Sequence, residues 1–322
     1  RYGRRDNLYK ARLKILVKAL GATEFARQVD EEWTYLKNGP ATLTADEVAR
    51  VAAHFAPPAY ETLPADDLCH LANLREDAAF ARWVGRNVHA HRVPGYAAVT
   101  LSLKKAGSAP GDATADQMEA VADLAERYSF GELRVSHEQN LLLPDVTQRE
   151  LYTVWHRAKA AGLASPTVGL LADLIACPGG DFCELANARS LPVAAAIRER
   201  FADLDELHDI GELEINISGC VNACGHHHIG HIGLLGVEKR GEDWYQVSIG
   251  GRQGKDLHFG EIIGPAFPAD EIPDVVERLV ETYVAYRRAG ERFNDTVDRL
   301  GAEPFRRSTY GTPNEEREVA NA

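Results

Sequence analysis

Apolar positions recur at helical spacing from the start of the chain: Leu8, Ala11, Ile15, Leu16, Ala19 and Leu20 share a face and continue toward Phe25. The pattern predicts an opening helix that ends in the breaker Lys37-Asn38-Gly39-Pro40. A second, short helix is predicted from Thr44, stopping before Pro57-Pro58. Thr44 and Glu47 have the spacing of a capping box there, and Leu43 and Val48 that of a hydrophobic staple. From there to about Asp77 the chain reads as a linker with a short helical piece around Cys69, a lone cysteine read as a small core filler.

The period then changes. Val99, Leu101 and Leu103 alternate with Thr100, Ser102 and Lys104, which predicts a half-buried strand. After a Gly- and Pro-rich turn, Thr114 and Gln117 open a helix predicted to bury Met118, Val121, Ala122, Ala125 and Tyr128. Two short strands near 132–136 and 139–143 follow, then a helix carrying Leu151, Val154, Trp155 and Ala158. Strand, helix, strand, strand, helix is a ferredoxin-like order, a statement about fold and not about a cluster in this stretch.

Further on, Ser190 is expected to cap a helix that holds Pro192 in its first turn. Leu213, Ile215 and Ile217 alternate with Glu212, Glu214 and Asn216, a strand that delivers the chain to a turn at Gly219-Cys220. Strands are predicted over 229–237 and 244–249, with Gly250-Gly251-Arg252 turning after them. A long helix capped by Asp270 runs through Ile272, Val275, Val276, Leu279, Val280 and Tyr283, and the chain after Arg307 reads as a loose tail.

At 322 residues the chain is long enough for one or two packed domains. Its net charge of -12 argues against nucleic acid as the main partner, because phosphate neutralisation needs clustered Lys and Arg. The opening is the exception, with Arg1, Arg4, Arg5, Lys10, Arg12, Lys14 and Lys18 opposed only by Asp6; it reads as a solvated helix face or as a means of attracting an anionic group. No uninterrupted apolar stretch is long enough to span a bilayer, so neither membrane insertion nor a membrane partner is expected. The few, paired cysteines suit a reducing, cytoplasmic setting. The first residue is not methionine, so a processed or truncated start is expected.

Those cysteines carry the chemistry. Four of the five fall in two pairs, Cys177-Pro-Gly-Gly-Asp-Phe-Cys183 and Cys220-Val-Asn-Ala-Cys224, each in a turn rich in Gly, Pro or Asn that can fold inward. The pairs leave five and three residues between thiols, wider than the usual knuckle of a structural zinc ribbon. Such loops suit an iron–sulfur cluster. Zinc stays open as an alternative, because His226, His227, His228 and His231 offer imidazoles beside the thiols.

The two pairs, with Ile217-Ser218-Gly219-Cys220-Val221-Asn222-Ala223-Cys224-Gly225, resemble the signature of the siroheme-dependent nitrite and sulfite reductases, and the triple histidine is similar to that of the bacterial sulfite reductase hemoprotein (beta subunit) group. The resemblance implies one 4Fe-4S cluster held by Cys177, Cys183, Cys220 and Cys224. It also implies siroheme, with Cys224 as the shared axial thiolate, and makes Asn222 a candidate cofactor contact. Val221 departs from the proline more common there. Ser136 to Pro144 resembles the end of the family's ferredoxin-like half-domain, which makes Arg134, Gln139 and Asn140 further candidates for cofactor contacts.

The fold class expected is therefore α+β: a ferredoxin-like half-domain followed by a mixed α/β cluster-binding domain of the nitrite and sulfite reductase type. The stretches would be 1–40, the helical end of a preceding domain; 41–82, a helical linker; 83–163, the half-domain; 164–307, the cluster and siroheme domain; and 308–322, a tail. The activity implied is six-electron reduction of sulfite to sulfide, with nitrite reduction to ammonia as the near alternative. Ferredoxin or a flavoprotein reductase subunit would be the electron donor. The family's substrate-binding Arg and Lys residues would lie upstream, so this stretch alone is expected to be inactive and no catalytic residue is assigned. An alternative of another class is a non-catalytic iron–sulfur or zinc module that transfers electrons or stabilises a fold.

Overall fold

The computed structural model describes residues 5–311; Arg1 and Arg4 of the basic opening and residues 312–322 of the tail lie outside them. It comprises two compact units, Arg1–Ala59 and Tyr60–Ala322. In the first, α1 (Leu13–Leu20) and α2 (Ala22–Leu36) replace the one opening helix that the periodicity predicts. Gly21 takes φ 81, which ends α1 and restarts the chain as α2. α3 (Ala45–Ala53) begins as expected, with Thr44 Oγ1 accepting from the Glu47 amide at 3.2 Å. The predicted staple does not bury its members: Leu43 and Val48 are 73% and 52% exposed. None of these three helices buries a residue.

In the second unit, the Pro-rich stretch read as a linker is tied down from Tyr60 onward. The Tyr60 hydroxyl donates to Asp145 at 2.7 Å, and Gln148 exchanges hydrogen bonds with Asp67 N and Ala65 O. α4 (Leu68–Glu76) leaves Cys69 exposed, not in a core as expected. Asp77 ends α4 and caps α5 (Ala78–Asn87) by accepting from the amides of Ala79 and Phe80. No sequence pattern had marked α5, yet it carries Phe80 and Trp83, both fully buried.

The half-domain sheet contains β1 (Val88–Ala90), β2 (Tyr96–Leu101), β3 (Arg134–Val135) and β4 (Leu141–Thr147), all antiparallel in the order β1-β2-β4-β3. α6 (Ala115–Tyr128) has the full Thr114–Gln117 capping box, and α7 (Leu151–Ala160) buries the four residues predicted for it. On α6 the buried residues are Val121, Leu124 and Ala125, whereas Met118 and Ala122 face solvent. The alternation predicted for 99–104 also fails, since Thr100, Ser102 and Lys104 are buried with their apolar neighbours. Lys104 reaches the next domain by donating to Leu174 O, whereas Thr100 Oγ1 pairs with His89 of β1 at 2.9 Å.

That next domain is built on a mixed sheet of β5 (Ile175–Ala176), β6 (Ile215–Ser218), β7 (Ile232–Lys239), β8 (Glu242–Ile249), β9 (Glu261–Ile262) and β10 (Phe267–Pro268). Its order is β10-β8-β7-β6-β5, with β9 on β8; β5, β6 and β7 are parallel and the other pairings antiparallel. Around it pack α8 (Ser190–Arg200), α9 (Leu204–Ile210), α10 (Ile272–Tyr286), α11 (Phe293–Leu300) and α12 (Glu303–Tyr310). Their apolar faces and the sheet form one continuous core, from Leu170 through Ile217, Leu234 and Leu279 to Phe305. Two expected caps shift: Arg189 is the N-cap of α8 and Glu271 that of α10, with Ser190 and Asp270 on either side of those positions. The residues after Arg307 complete α12 to Tyr310 instead of starting a tail, because Phe305 anchors that helix in the core.

Polar side chains join the two domains. Lys104 is only 3% exposed and its ammonium donates to Leu174 O and Glu138 O, both at 2.9 Å. Asn140 accepts from the Leu103 amide and donates to Asp173 at 2.9 Å. Arg198 on α8 reaches back to the carbonyls of Lys104, Lys105 and Ser108.

Candidate functional site

Local structure explains how the two cysteine pairs meet. β5 lies parallel to β6, with Ala176 opposite Ile217, and both strands end within a residue or two of a cysteine. The Cys177 amide donates to Ile217 O at 3.1 Å, and the Gly219 amide donates to Cys177 Sγ at 3.1 Å. Ser190 Oγ lies 3.7 Å from the same sulfur. The Cys177 loop thus sits directly against the turn that presents Cys220.

The loops can approach only because neither carries a side chain at the crossing. A Cβ on Gly219 would stand 2.7 Å from Gly179 Cα and 2.7 Å from Ala188 O. Gly219 O in turn accepts from the amides of Asn187 and Ala188, which ties the segment after Cys183 to the second pair. Cys183 N–H turns back onto Gly179 O at 2.9 Å, and the Ala223 amide onto Cys220 O at 3.1 Å. Cys220 is 8% exposed, Cys177 and Cys183 are half-buried, and Cys224 is exposed. All five cysteines are free thiols.

An all-thiol donor set on two loops that a Cβ would push apart, with a backbone amide already aimed at one sulfur, fits a thiolate-held iron–sulfur cluster. Among the described residues no group of three His, Cys, Asp or Glu, the four cysteines included, is arranged to hold a single metal ion. Of the imidazoles near Cys224, His226 is exposed, and His228 and His231 are occupied in packing. His231 Nδ1 accepts from the Glu214 amide and its ring stacks on Phe293, while His228 meets Phe259 edge-on. Burial, then the neighbouring Arg252, pushes His231 down to about 4; burial, then His228, pushes His227 down to about 4. Both are neutral at neutral pH.

The other sequence candidates divide. Asn222 is exposed in the second cysteine loop. Arg134 is an exposed residue of β3 that pairs with Glu132 at 2.6 Å. Gln139 and Asn140, expected to contact a cofactor, spend their amides on protein partners: Asn140 on Leu103 and Asp173, Gln139 on both backbone groups of Ala176. Arg252 is held by Asp298 and Asn294 O. Sequence reasoning missed Lys104, Asp173 and Arg198, whose roles depend on a domain junction; the polar residues at predicted strand positions were the only signal.

Beside the thiols in sequence, Phe182, Leu185 and Val221 are each more than 70% exposed, and Glu184, Asn222 and His226 among them are exposed too. Two cavities lie elsewhere, one of about 520 Å³ between Arg86, Glu212 and Arg287, the other of about 570 Å³ between Lys105, Asp123 and Arg157. Neither touches a cysteine.

Comparison with known proteins agrees with this division of the chain. Residues 170–316 match the nitrite and sulphite reductase 4Fe-4S domain, and residues 89–161 the nitrite/sulfite reductase ferredoxin-like half domain. The chain is 29% identical to sulfite reductase [ferredoxin] 2 of Mycolicibacterium paratuberculosis over 321 residues, which cover 95% of this chain and 50% of that protein. It is 32% identical to the chloroplastic ferredoxin–nitrite reductase of Spinacia oleracea over 192 residues, 56% of this chain and 31% of that one. The solved structure of the Mycobacterium tuberculosis NirA protein superposes with a TM-score of 0.59 at 27% identity, over 94% of this chain and 50% of that one. A dissimilatory sulfite reductase I chain shares the fold at 13% identity, with a TM-score of 0.58 over 92% of this chain and 93% of its own. The chain spans about half the length of the first two relatives or less.

Proposed function

Because the chain belongs to the nitrite and sulfite reductase family, we propose that Cys177, Cys183, Cys220 and Cys224 hold its 4Fe-4S cluster and that the site serves six-electron reduction of sulfite to sulfide. The observation that carries this reading is the parallel β5–β6 pairing, which lays Cys177 against the Gly219-Cys220 turn. Cys177, Cys183, Cys220 and Cys224 would hold the cluster and Cys224 would also face the siroheme, and the two groups would supply the one-electron redox chemistry that the reaction needs.

The chain's own residues supply position and environment. Gly219 N–H places a donor on the Cys177 sulfur, which orients it. Burial of Cys220 keeps water away from the inner side of the site. The exposed Cys224 and the exposed apolar side chains of Phe182, Leu185 and Val221 give the outer side a surface suited to a large, flat macrocycle. Sulfite is favoured as substrate because the sulfite reductase relative aligns along 95% of this chain. The 32% identity to a nitrite reductase over the shorter stretch supports nitrite as a second substrate reading. Reduced ferredoxin is the proposed donor, since both relatives carry that name.

The test is the metal content of the intact protein. Iron and acid-labile sulfide are expected, together with tetrapyrrole absorption, and each of Cys177→Ser, Cys183→Ser, Cys220→Ser and Cys224→Ser is expected to lose them while Cys69→Ser keeps them. Zinc alone, or a cluster indifferent to these substitutions, would overturn the assignment. Sulfite and nitrite turnover with one reduced ferredoxin then decides between the substrates.

A further inference from the structure

β5 is only two residues long and lies at the edge of its sheet. Its inner side is paired to β6, and the Cys177 amide continues that ladder to Ile217 O. Ala176 points its N–H and C=O the other way, toward the free edge, yet it is 1% exposed. Water cannot satisfy those two groups, and a buried amide or carbonyl left unpaired is destabilising.

Gln139 closes the edge. Its Nε2 donates to Ala176 O at 2.8 Å and its Oε1 accepts from Ala176 N–H at 3.0 Å, so one side-chain amide replaces a neighbouring strand. The residue itself is held under strain, at φ 58, where a side chain other than Asn or Asp is uncommon. The turn that imposes this is closed by Ser136 N–H on Asn140 O at 2.9 Å and Gln139 N–H on Ser136 O at 3.2 Å. Asn140, next in the chain, is locked to Leu103 and Asp173. Such strain persists only where the surroundings over-determine it, and here they aim one amide at the residue before Cys177.

We propose that Gln139 is a positioning residue for Cys177: by pairing with both backbone groups of Ala176 it fixes the strand end from which that thiol projects toward the cluster. This rests on Cys177 being a cluster ligand. The half-domain thereby shapes the ligand set of its neighbour without touching it. Gln139→Met keeps the stem and removes both hydrogen bonds, whereas Gln139→Glu keeps an acceptor for Ala176 N–H but sets a carboxylate against Ala176 O.

Amide exchange and iron release in the intact protein test this. In Gln139→Met the Ala176 amide is expected to exchange about tenfold faster than in wild type, with the amides of α7 unchanged. Its iron should pass to a chelator about tenfold faster, as outer-shell losses at metal sites do, with Gln139→Glu between the two. The cluster's electron paramagnetic resonance signal should broaden in the same order. Unchanged exchange at Ala176 would overturn the pairing. Faster exchange with unaltered iron release and spectrum would reduce Gln139 to a filler of the sheet edge and overturn its positioning role. A wild-type protein without iron and sulfide would overturn the ligand assignment beneath the proposal, and the proposal with it.

Discussion

Lys104 offers a quantitative test of the domain junction through pH. Its ammonium is 3% exposed, held by Leu174 O and Glu138 O. Burial is the main cause that pushes it from 10.5 down to about 8; Asp173 and Glu138 oppose that fall and Arg198 adds to it. At 1.36 kcal/mol per pH unit, that difference means a penalty of about 3 kcal/mol for keeping the charge in the folded state. The unfolded chain binds the proton more tightly than the folded one, so folding gains stability as pH rises from about 8 toward 10.5. Below that window the penalty is complete, and above it the penalty is gone. Roughly 2.5 kcal/mol should be recovered between pH 7 and pH 10.

Lys104→Met removes the titration and leaves two carbonyls unpaired, a loss that does not vary with pH. Asp173, whose carboxyl burial already pushes up, loses a nearby positive charge in the variant. A carboxyl raised on folding loses stability as pH rises from 3.8 through its folded value, so it never narrows the gap. Urea unfolding of both proteins at pH 7, 8, 9 and 10 should therefore show wild type gaining on the variant by about 2.5 kcal/mol or somewhat more across that range. Parallel profiles would refute the reasoning, for they would mean that the Lys104 ammonium reaches water.

Two other substitutions address the same architecture. Gly219→Ala sets a Cβ 2.7 Å from Ala188 O and Gly179 Cα, and should lower stability by about 1–3 kcal/mol and reduce iron per chain; normal iron content would mean that the loops can separate without losing the site. Asn87 donates from one amide to Thr100 O at 3.0 Å and Ser165 O at 3.1 Å, so Asn87→Ala should lower stability by about 2–4 kcal/mol in chemical denaturation. A change within about 0.5 kcal/mol would show that water replaces it.

The half-domain was readable where one face repeats. α7 buries the four residues its spacing indicates, and the Thr114–Gln117 box opens α6 as written. Reading failed where a second surface intrudes. Thr100, Ser102 and Lys104 look like the wet side of a strand but are buried, Lys104 against Leu174 of the adjoining domain, and no local pattern encodes that burial. α9 and α11 carry few apolar residues, and the caps of α5 and α9, Asp77 and Asp203, resemble ordinary loop residues. Met118 was assigned to the wrong side of α6 because a 3.6-residue repeat defines a stripe but not its edges.

What the sequence determined by itself was the donor chemistry: four thiols in two glycine-rich loops, paired closely enough to suggest a single cluster and a family. Spacing along the chain constrains each pair, because a short loop limits how far two thiols can separate. It says nothing of how the pairs meet, since 36 residues, those of α8, α9 and β6 among them, lie between the pairs. Only tertiary structure decided that: β5 and β6 lie parallel, Gly219 reaches the Cys177 sulfur, and Gln139 closes the far edge. Hydrogen bonds between distant strands and packing across a domain junction depend on three-dimensional proximity, which no local periodicity records.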